Sequence, residues 1–425
     1  MLCLASAAAQ ETLPEASGIR DRIGQTVEFQ DKIVAISYSR STNGYYLNFG
    51  APFPAQLLSV WVGHKLYRLL PSHHALVGRT VRIKGLLENS STGPLLKLDS
   101  ADAFQLLPLD DSALTKSILD GEMDRVQFKA VIRQKFDAGE FETLEVLAED
   151  LRKTRERFSD GTWLTDAFFS SLALGSRASD AEYETVEQQL ARWETAYPGS
   201  LVAMLMQAGF YHDRAFKARG GAVTKQTTPE QLKAFKVELD RSRALLEAHP
   251  AAKMYPAYFT RLQKIALDQH WPRAEFMRIF DEATALEPDY YGFYFNAAQY
   301  LLPKWWGRRG EWQAFAESQR QRHGAGAAGD ALYARIVWSL RPTQHHPFRN
   351  TGTSWDITAS GFEYLIRQYP KSRWLRNAYA NFAWKAGDRA RLRLALAEIR
   401  RDPDMNIWVN LENFGMAEHF AASEE

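Results

Sequence analysis

Hydrophobic positions along the chain fall into two textures. From Gly18 to about Leu107 they alternate with a period near two, the mark of strands buried on one face. Val27, Phe29, Ile33 and Ala35, with Val34, Ile36 and Tyr38 on the other parity, predict one long, bent strand whose facing changes midway. Ser41-Thr42-Asn43-Gly44 then predicts a tight hairpin, because Asn-Gly accepts positive φ angles. Strands over Tyr45–Phe49 and Leu57–Val62 follow, and the less regular Tyr67–Val77 has room for a short helix. After Gly78, Val81, Ile83, Gly85 and Leu87 point inward with Arg82 and Lys84 outward, and Pro94–Leu98 supplies a fifth strand.

Residues 108–120 mix Pro, Asp, Ser and Gly and read as a linker. Beyond them, from 121 to 418, the period becomes helical. Phe141, Leu144, Leu147, Leu151 and Phe158 form one stripe; Tyr183, Val186, Leu190, Trp193 and Tyr197 form another. Further stripes run through Leu232, Phe235 and Leu239, through Phe276, Ile279, Ala283 and Leu286, and through Phe362, Leu365, Ile366 and Tyr369. Tyr197-Pro198, His249-Pro250, Glu287-Pro288 and Tyr369-Pro370 each close a stripe before another helix begins. The prolines lie 52, 38 and 82 residues apart, the last close to twice 41. Such periods suit stacked helix pairs of the tetratricopeptide kind with insertions, an α-solenoid; an irregular helical bundle is the alternative.

Composition adds limits. The chain has 45% hydrophobic and 24% charged residues, with 12 Trp and 24 Phe, enough for a sizeable folded core. A formal net charge of +1 gives the whole molecule no strong field toward nucleic acid or anionic lipid. The single cysteine, Cys3, excludes an internal disulfide and a cysteine metal cluster. Residues 1–9 form a short apolar run ending in Ala7-Ala8-Ala9, which reads as the remnant of a cleavable signal peptide and predicts a periplasmic or secreted protein. No stretch of about 18 apolar residues predicts a transmembrane helix.

Three strands, a short helix and two more strands is the order of the five-stranded OB-fold barrel. The wording GYYLNFGAPFPAQLLSVWV followed by LVGRTVRIKGLLENSSTGPLLKLDSADAF resembles an OB-type domain of exported bacterial proteins. Leu47-Asn48-Phe49-Gly50 and Gly78-Arg79-Thr80-Val81-Arg82-Ile83-Lys84-Gly85 occupy its two marked places, with Arg79 where that domain has Lys. Further on, ARWETAYPGS, AFKARGGA, EPDYYGFYFNAAQYLLPKWWGRRGEW and GFEYLIRQYPKSRWLRNAYANFAWKAGDRA, in that order, resemble an uncharacterised bacterial family related to tetratricopeptide proteins. That family implies a helical repeat and no established activity. Its Ala-Trp-x-x-Arg-Gly-x-Gly appears here as residues 215–222 with Phe216 for Trp and Ala222 for the last Gly.

Candidate chemistry is sparse. Tyr290–Trp312 is the densest aromatic stretch, and Trp305, Trp306, Arg308 and Arg309 follow Pro303 in a loop that suits a carboxylate, a sugar or an aromatic side chain, or else packs a neighbouring repeat. Arg219 before Gly220-Gly221 binds an anion or bridges two helices. In the first segment ten Lys and Arg oppose six Asp and Glu, an excess of +4, and Tyr45, Tyr46 and Trp61 with Arg82 and Lys84 offer stacking faces beside cations, as single-strand binders do. His345-His346 and His73-His74 lack the helical spacing of a metal site, and no G-x-S-x-G, H-E-x-x-H or Walker motif occurs. The expectation is therefore a multidomain protein: a small all-β OB-fold barrel over 18–107, then a mostly α-helical TPR-like repeat domain over 121–418. It acts as a non-catalytic binding or scaffolding protein with a protein or peptide partner and no cofactor or metal. An envelope-polymer hydrolase and a single-stranded nucleic-acid binder are the alternatives.

Overall fold

The structure, a computed structural model, describes residues 14–39, 41–67, 70, 76, 79–107, 125–175, 178–220, 227–324, 326–349, 351–399 and 403–423. The chain divides into two units, Met1–Ser117 and Ile118–Glu425. The expected signal remnant over 1–9 and linker over 108–120 lie outside the described residues.

In the first unit the expected long strand is β1, Thr26–Ser39, followed by β2, Gly44–Phe49, and β3, Leu58–Gly63. Helix α1, His64–Tyr67, follows β3 directly, and the Tyr67 ring stacks on Tyr45 with centroids 3.7 Å apart; of the stretch expected to hold a short helix, Leu76 is helical and most of the rest lies outside the described residues. Strands β4, Thr80–Ser90, and β5, Gly93–Leu98, follow, with a sixth, β6, Phe104–Leu106, that alternation did not predict. The buried Arg79 donates from Nη2 to the Leu107 carbonyl at 2.7 Å and so fixes the end of β6.

Strand β1 serves two ladders. Its first half pairs antiparallel with β4, Thr26↔Leu86 through Lys32↔Thr80, and its second half with β2, Ile33↔Phe49 through Ser39↔Gly44. The register shifts between Ile33 and Ala35, where the hydrophobic parity of the sequence changes. Antiparallel β2–β3, parallel β3–β5 and antiparallel β5–β4 ladders complete a circuit β1–β2–β3–β5–β4–β1, with β6 added beside β4. Inward residues, among them Phe29, Leu47, Phe49, Val60, Ile83 and Leu96, are fully buried. At the hairpin only Asn43 adopts a positive φ, 47°. Gly44 is required for another reason: a Cβ there would strike the Trp61 indole across the ladder.

Among the described residues the second unit is helical apart from connecting segments and an isolated antiparallel bridge between Arg157 and Trp163. Its helices are α2, Arg125–Ala138; α3, Phe141–Thr154; α4, Leu164–Phe169; α5, Asp180–Ala196; α6, Leu201–Arg219; and α7, Pro229–Ala248. They continue as α8, Pro256–Asp268; α9, Arg273–Leu286; α10, Tyr291–Tyr300; α11, Glu311–Arg322; and α12, Ala327–Ser339. The last are α13, Trp355–Gln368; α14, Arg373–Ala386; α15, Arg389–Ile399; α16, Met405–Trp408; and α17, Leu411–Ala422. Even-numbered helices from α2 to α12 pack on one another in a row, and α3, α5, α7, α9, α11 and α13 pack beside them. Among the described residues no helix is long and apolar enough to cross a membrane.

The four pre-proline residues adopt one geometry. Tyr197, His249, Glu287 and Tyr369 have φ between −140° and −124° and ψ between 64° and 87°. Proline excludes the residue before it from the helical region, so the helix stops there and the chain turns into the next one. Ser200 and Ser372 then cap the following helices by accepting from the Ala203 and Leu375 N–H groups.

One segment, 155–163, ties distant helices together. Arg155 Nη2 lies 2.8 Å from Glu287 Oε1, and the Trp163 indole donates to the Asp289 carbonyl at 3.1 Å. Between them the buried Asp160 carboxylate accepts from Arg125 Nη2 at 3.1 Å and from the Thr162 N–H at 2.9 Å, while Arg335 of α12 donates to the Asp160 carbonyl. Gly161, at φ +81°, leaves no room for a Cβ against the Tyr369 ring. Burial alone pushes the Asp160 carboxyl upward, but Arg125, the Thr162 hydrogen bonds and Arg335 together hold it below the ordinary aspartate value.

Replacing Asp160 with Ala leaves the Arg125 cation and the Thr162 N–H short of an acceptor, while the backbone carbonyl that Arg335 uses remains. It should cost the helical unit roughly 3 kcal/mol in urea denaturation. In the unmodified protein this contribution is complete above the unfolded-state value near pH ~4 and disappears as pH falls through the lower folded value. A D160A protein should therefore lose stability relative to wild type at pH 7 and converge with it in acid.

Candidate functional site

The five residues proposed as a stacking and cationic face in the first unit occupy three places. Tyr46 and Trp61 are register partners across β2 and β3, and the Trp61 indole nitrogen is buried without an acceptor. Tyr45 faces the other side of β2, as a strand period of two requires, and stacks on Tyr67 and on His64 at 6.0 Å. Arg82 and Lys84 lie across from Gln30 and Glu28 on the β1–β4 arm, with Arg82 Nη2 3.5 Å from Gln30 Oε1. No ring contact joins the two cations to the aromatics among the described residues.

In the second unit, Trp305 to Arg309 follow the end of α10. The Trp306 ring lies 4.4 Å from His270, and its indole donates to the Leu267 carbonyl at 3.3 Å. Trp305 is half-buried with its indole nitrogen unpaired, and Gly307 sits against the Leu301 carbonyl where no side chain fits. Arg308 donates its backbone N–H to Glu311 at 2.7 Å, Glu311 pairs with Arg273, and the Arg308 and Arg309 side chains are exposed. The Trp306 indole thus binds this loop to the α8–α9 junction, and the guanidinium groups are exposed. Arg219 ends α6 with its guanidinium 5.0 Å from the Phe216 ring and 5.7 Å from Phe235. Gly221 and Ala222 lie outside the described residues.

The row of even-numbered helices brings together a charged cluster that motif reading did not find. Lys129 comes from α2, Asp166 from α4, His212 and Asp213 from α6, and Arg261, Lys264 and Asp268 from α8. Tyr290, fully buried just before α10, donates its hydroxyl to Asp166 Oδ1 at 3.3 Å. Burial, then the Asp166 charge, drives that phenol far above its ordinary range. His212 Nε2 is 2.9 Å from Asp268 Oδ2, and Nδ1 is 3.9 Å from Asp213. Arg261 donates to the Phe169 carbonyl at 2.7 Å and lies so close over Gly209 that a Cβ there would meet its guanidinium.

The two lysines are held differently. Neither makes a hydrogen bond or ion pair with a described side chain closer than ion-pair distance, so their charges are met only from a distance. Burial pushes the Lys129 ammonium down to about 8; Asp166 opposes this, while Arg125, Lys264 and Arg261 push further down. Lys264 is likewise lowered, first by the surrounding protein and next by Arg261, against Asp166, Asp213 and Asp268. Its side chain is nevertheless exposed. A sequence signal did exist: Arg261 and Lys264 are spaced i, i+3 on a helix otherwise buried along nearly its whole length, and Lys129 is flanked by buried Phe128 and Ala130. Among the described residues no group of three or more His, Cys, Asp or Glu is placed to hold a metal ion.

Two outcomes are expected. Lys129→Met should stabilise the protein at pH 7 by on the order of 1 kcal/mol, because it removes a poorly hydrated charge facing like charges. The gain should shrink from about pH 8 toward pH ~10.4, as the native lysine loses its proton at a lower pH than the unfolded one. Thermal melts at several pH values would show a constant difference instead if burial of that charge were immaterial. At the other loop, Trp306→Ala should cost about 2 kcal/mol, whereas Arg308→Ala and Arg309→Ala should each stay within ~0.5 kcal/mol, measured by chemical denaturation. No protein-family model, curated protein or solved structure matches the chain.

Proposed function

We propose that this chain is a non-catalytic binding protein, acting outside the cytoplasm, built from an OB-type barrel and a TPR-like helical repeat. The β1–β2–β3–β5–β4–β1 circuit with its parallel β3–β5 ladder supports the barrel reading. The paired rows of helices and the repeated pre-proline turn support the repeat reading. The ligand is engaged on the even-numbered row of the helical unit. The observation that carries this is Lys264, an exposed ammonium three residues from the buried Arg261 on α8, with no ion-pair partner among the described residues.

A second reading, catalysis, draws on Asp166–Tyr290 and His212–Asp268, two ionisable pairs within hydrogen-bond reach, beside an amine lowered to about 8. It names no reaction, and binding accounts for the same groups.

Protein purified natively from its own cells and examined by non-denaturing mass spectrometry should carry a bound species that the Lys129→Met, Lys264→Met double variant loses. Equal masses for both proteins, each matching the bare chain, would refute the reading. Turnover of an envelope polymer abolished by Asp166→Asn would replace it with the catalytic one.

A further inference from the structure

We infer that the cavity between the end of α13, the start of α14 and the end of α15 binds a small organic molecule through a dianionic oxyanion, a phosphate or a pair of carboxylates. This site lies on different helices from Lys264 and stands or falls independently of the reading above.

Helix α14 packs on both α13 and α15, and the cavity that the three leave at this end measures about 680 Å³. That volume suits a small molecule and exceeds what a bare ion needs. Its lining carries Arg367, Lys371, Arg373 and Arg376 against one carboxylate, Glu398, although the whole chain has a net charge of only +1. Ile366 and Ile399 add an apolar wall.

Part of this lining is fixed before any ligand arrives. Arg376 Nε lies 3.2 Å from Glu398 Oε2, its Nη1 donates to the Ser372 carbonyl at 3.1 Å, and its Nη2 donates to the Pro370 carbonyl. These contacts take three of the five N–H donors of a guanidinium and hold its plane against the turn. Arg373 Nη2 donates to the Pro403 carbonyl at 3.0 Å. Arg367, in the last turn of α13, is exposed and makes no hydrogen bond or ion pair with a described residue.

The turn itself does not call for these cations. The other serine-capped pre-proline turn has Leu201 and Met204 where this one has Arg373 and Arg376. A dianion among the four side chains gains charge-assisted hydrogen bonds and lowers the repulsion between them, which a neutral or cationic ligand would leave in place.

The test uses the full chain, with phenyl phosphate and phthalate as probes at ionic strength held constant with sodium chloride. One or both should raise the thermal midpoint saturably, with at least a tenfold loss of apparent affinity in the Arg367→Gln, Lys371→Gln double variant. Saturation by phenyl phosphate alone identifies a phosphate site, and saturation by phthalate alone a dicarboxylate site. Inorganic phosphate and oxalate, which cannot cover the apolar wall, should bind severalfold more weakly than the effective probe; equal binding would overturn the organic part of the inference. Acylation of the unmodified protein, followed by mass spectrometry, supplies a readout that stands even if the double variant does not fold: the effective probe should protect Lys371 severalfold and exposed lysines elsewhere not. No saturable rise beyond that of chloride, an unchanged affinity in the double variant, or no protection of Lys371 overturns the inference.

Discussion

The helical unit depends on a buried carboxylate. Asp160 accepts from Arg125 and Thr162, and its own carbonyl accepts from Arg335, 175 positions later in the chain. A carboxylate taken out of water is tolerable only with such partners, which is why the segment carrying it has so little freedom. Trp163 and Arg155 extend the same anchorage to Asp289 and Glu287, and Gly161 lets Tyr369 close over it. The ends of α2 and α4 and the start of α10 are held by these contacts, and Lys129, Asp166 and Tyr290 ride on those elements. The charged cluster is placed by a polar core that is distinct from it.

Much of the architecture could be read from the amino acids. Alternation located five strands within about three residues at their ends, because a strand that buries one face must repeat every second residue. It also located the change of facing in β1, which appears as the register shift between Ile33 and Ala35. β6 escaped because three residues carry too little pattern, and it is fixed by Arg79 and by pairing with β4. The pre-proline stops were legible for a local reason: proline acts on its neighbour wherever it occurs.

The site was less legible. Trp305 and Trp306 were conspicuous by composition, yet an indole is used for packing as readily as for binding, and Trp306 packs on His270. Tyr45 and Tyr46 are adjacent in sequence and therefore face opposite sides of β2. Lys129 and Lys264 belong to helices separated by more than a hundred residues, and no spacing rule links them. Both helices pack on α4, a relation that a single sequence does not state. What it does state is the anomaly of a cation within an apolar helix.

Helical arrays are ordinarily near-one-dimensional: each repeat touches its neighbours, and parts of the array can open while the rest persists. The Arg335–Asp160 contact departs from that rule. By joining the segment before α4 to α12, it couples the opening of either region to the loss of a buried polar interaction in the other. Opening α12 therefore also breaks the contact at Asp160, 175 positions earlier in the chain.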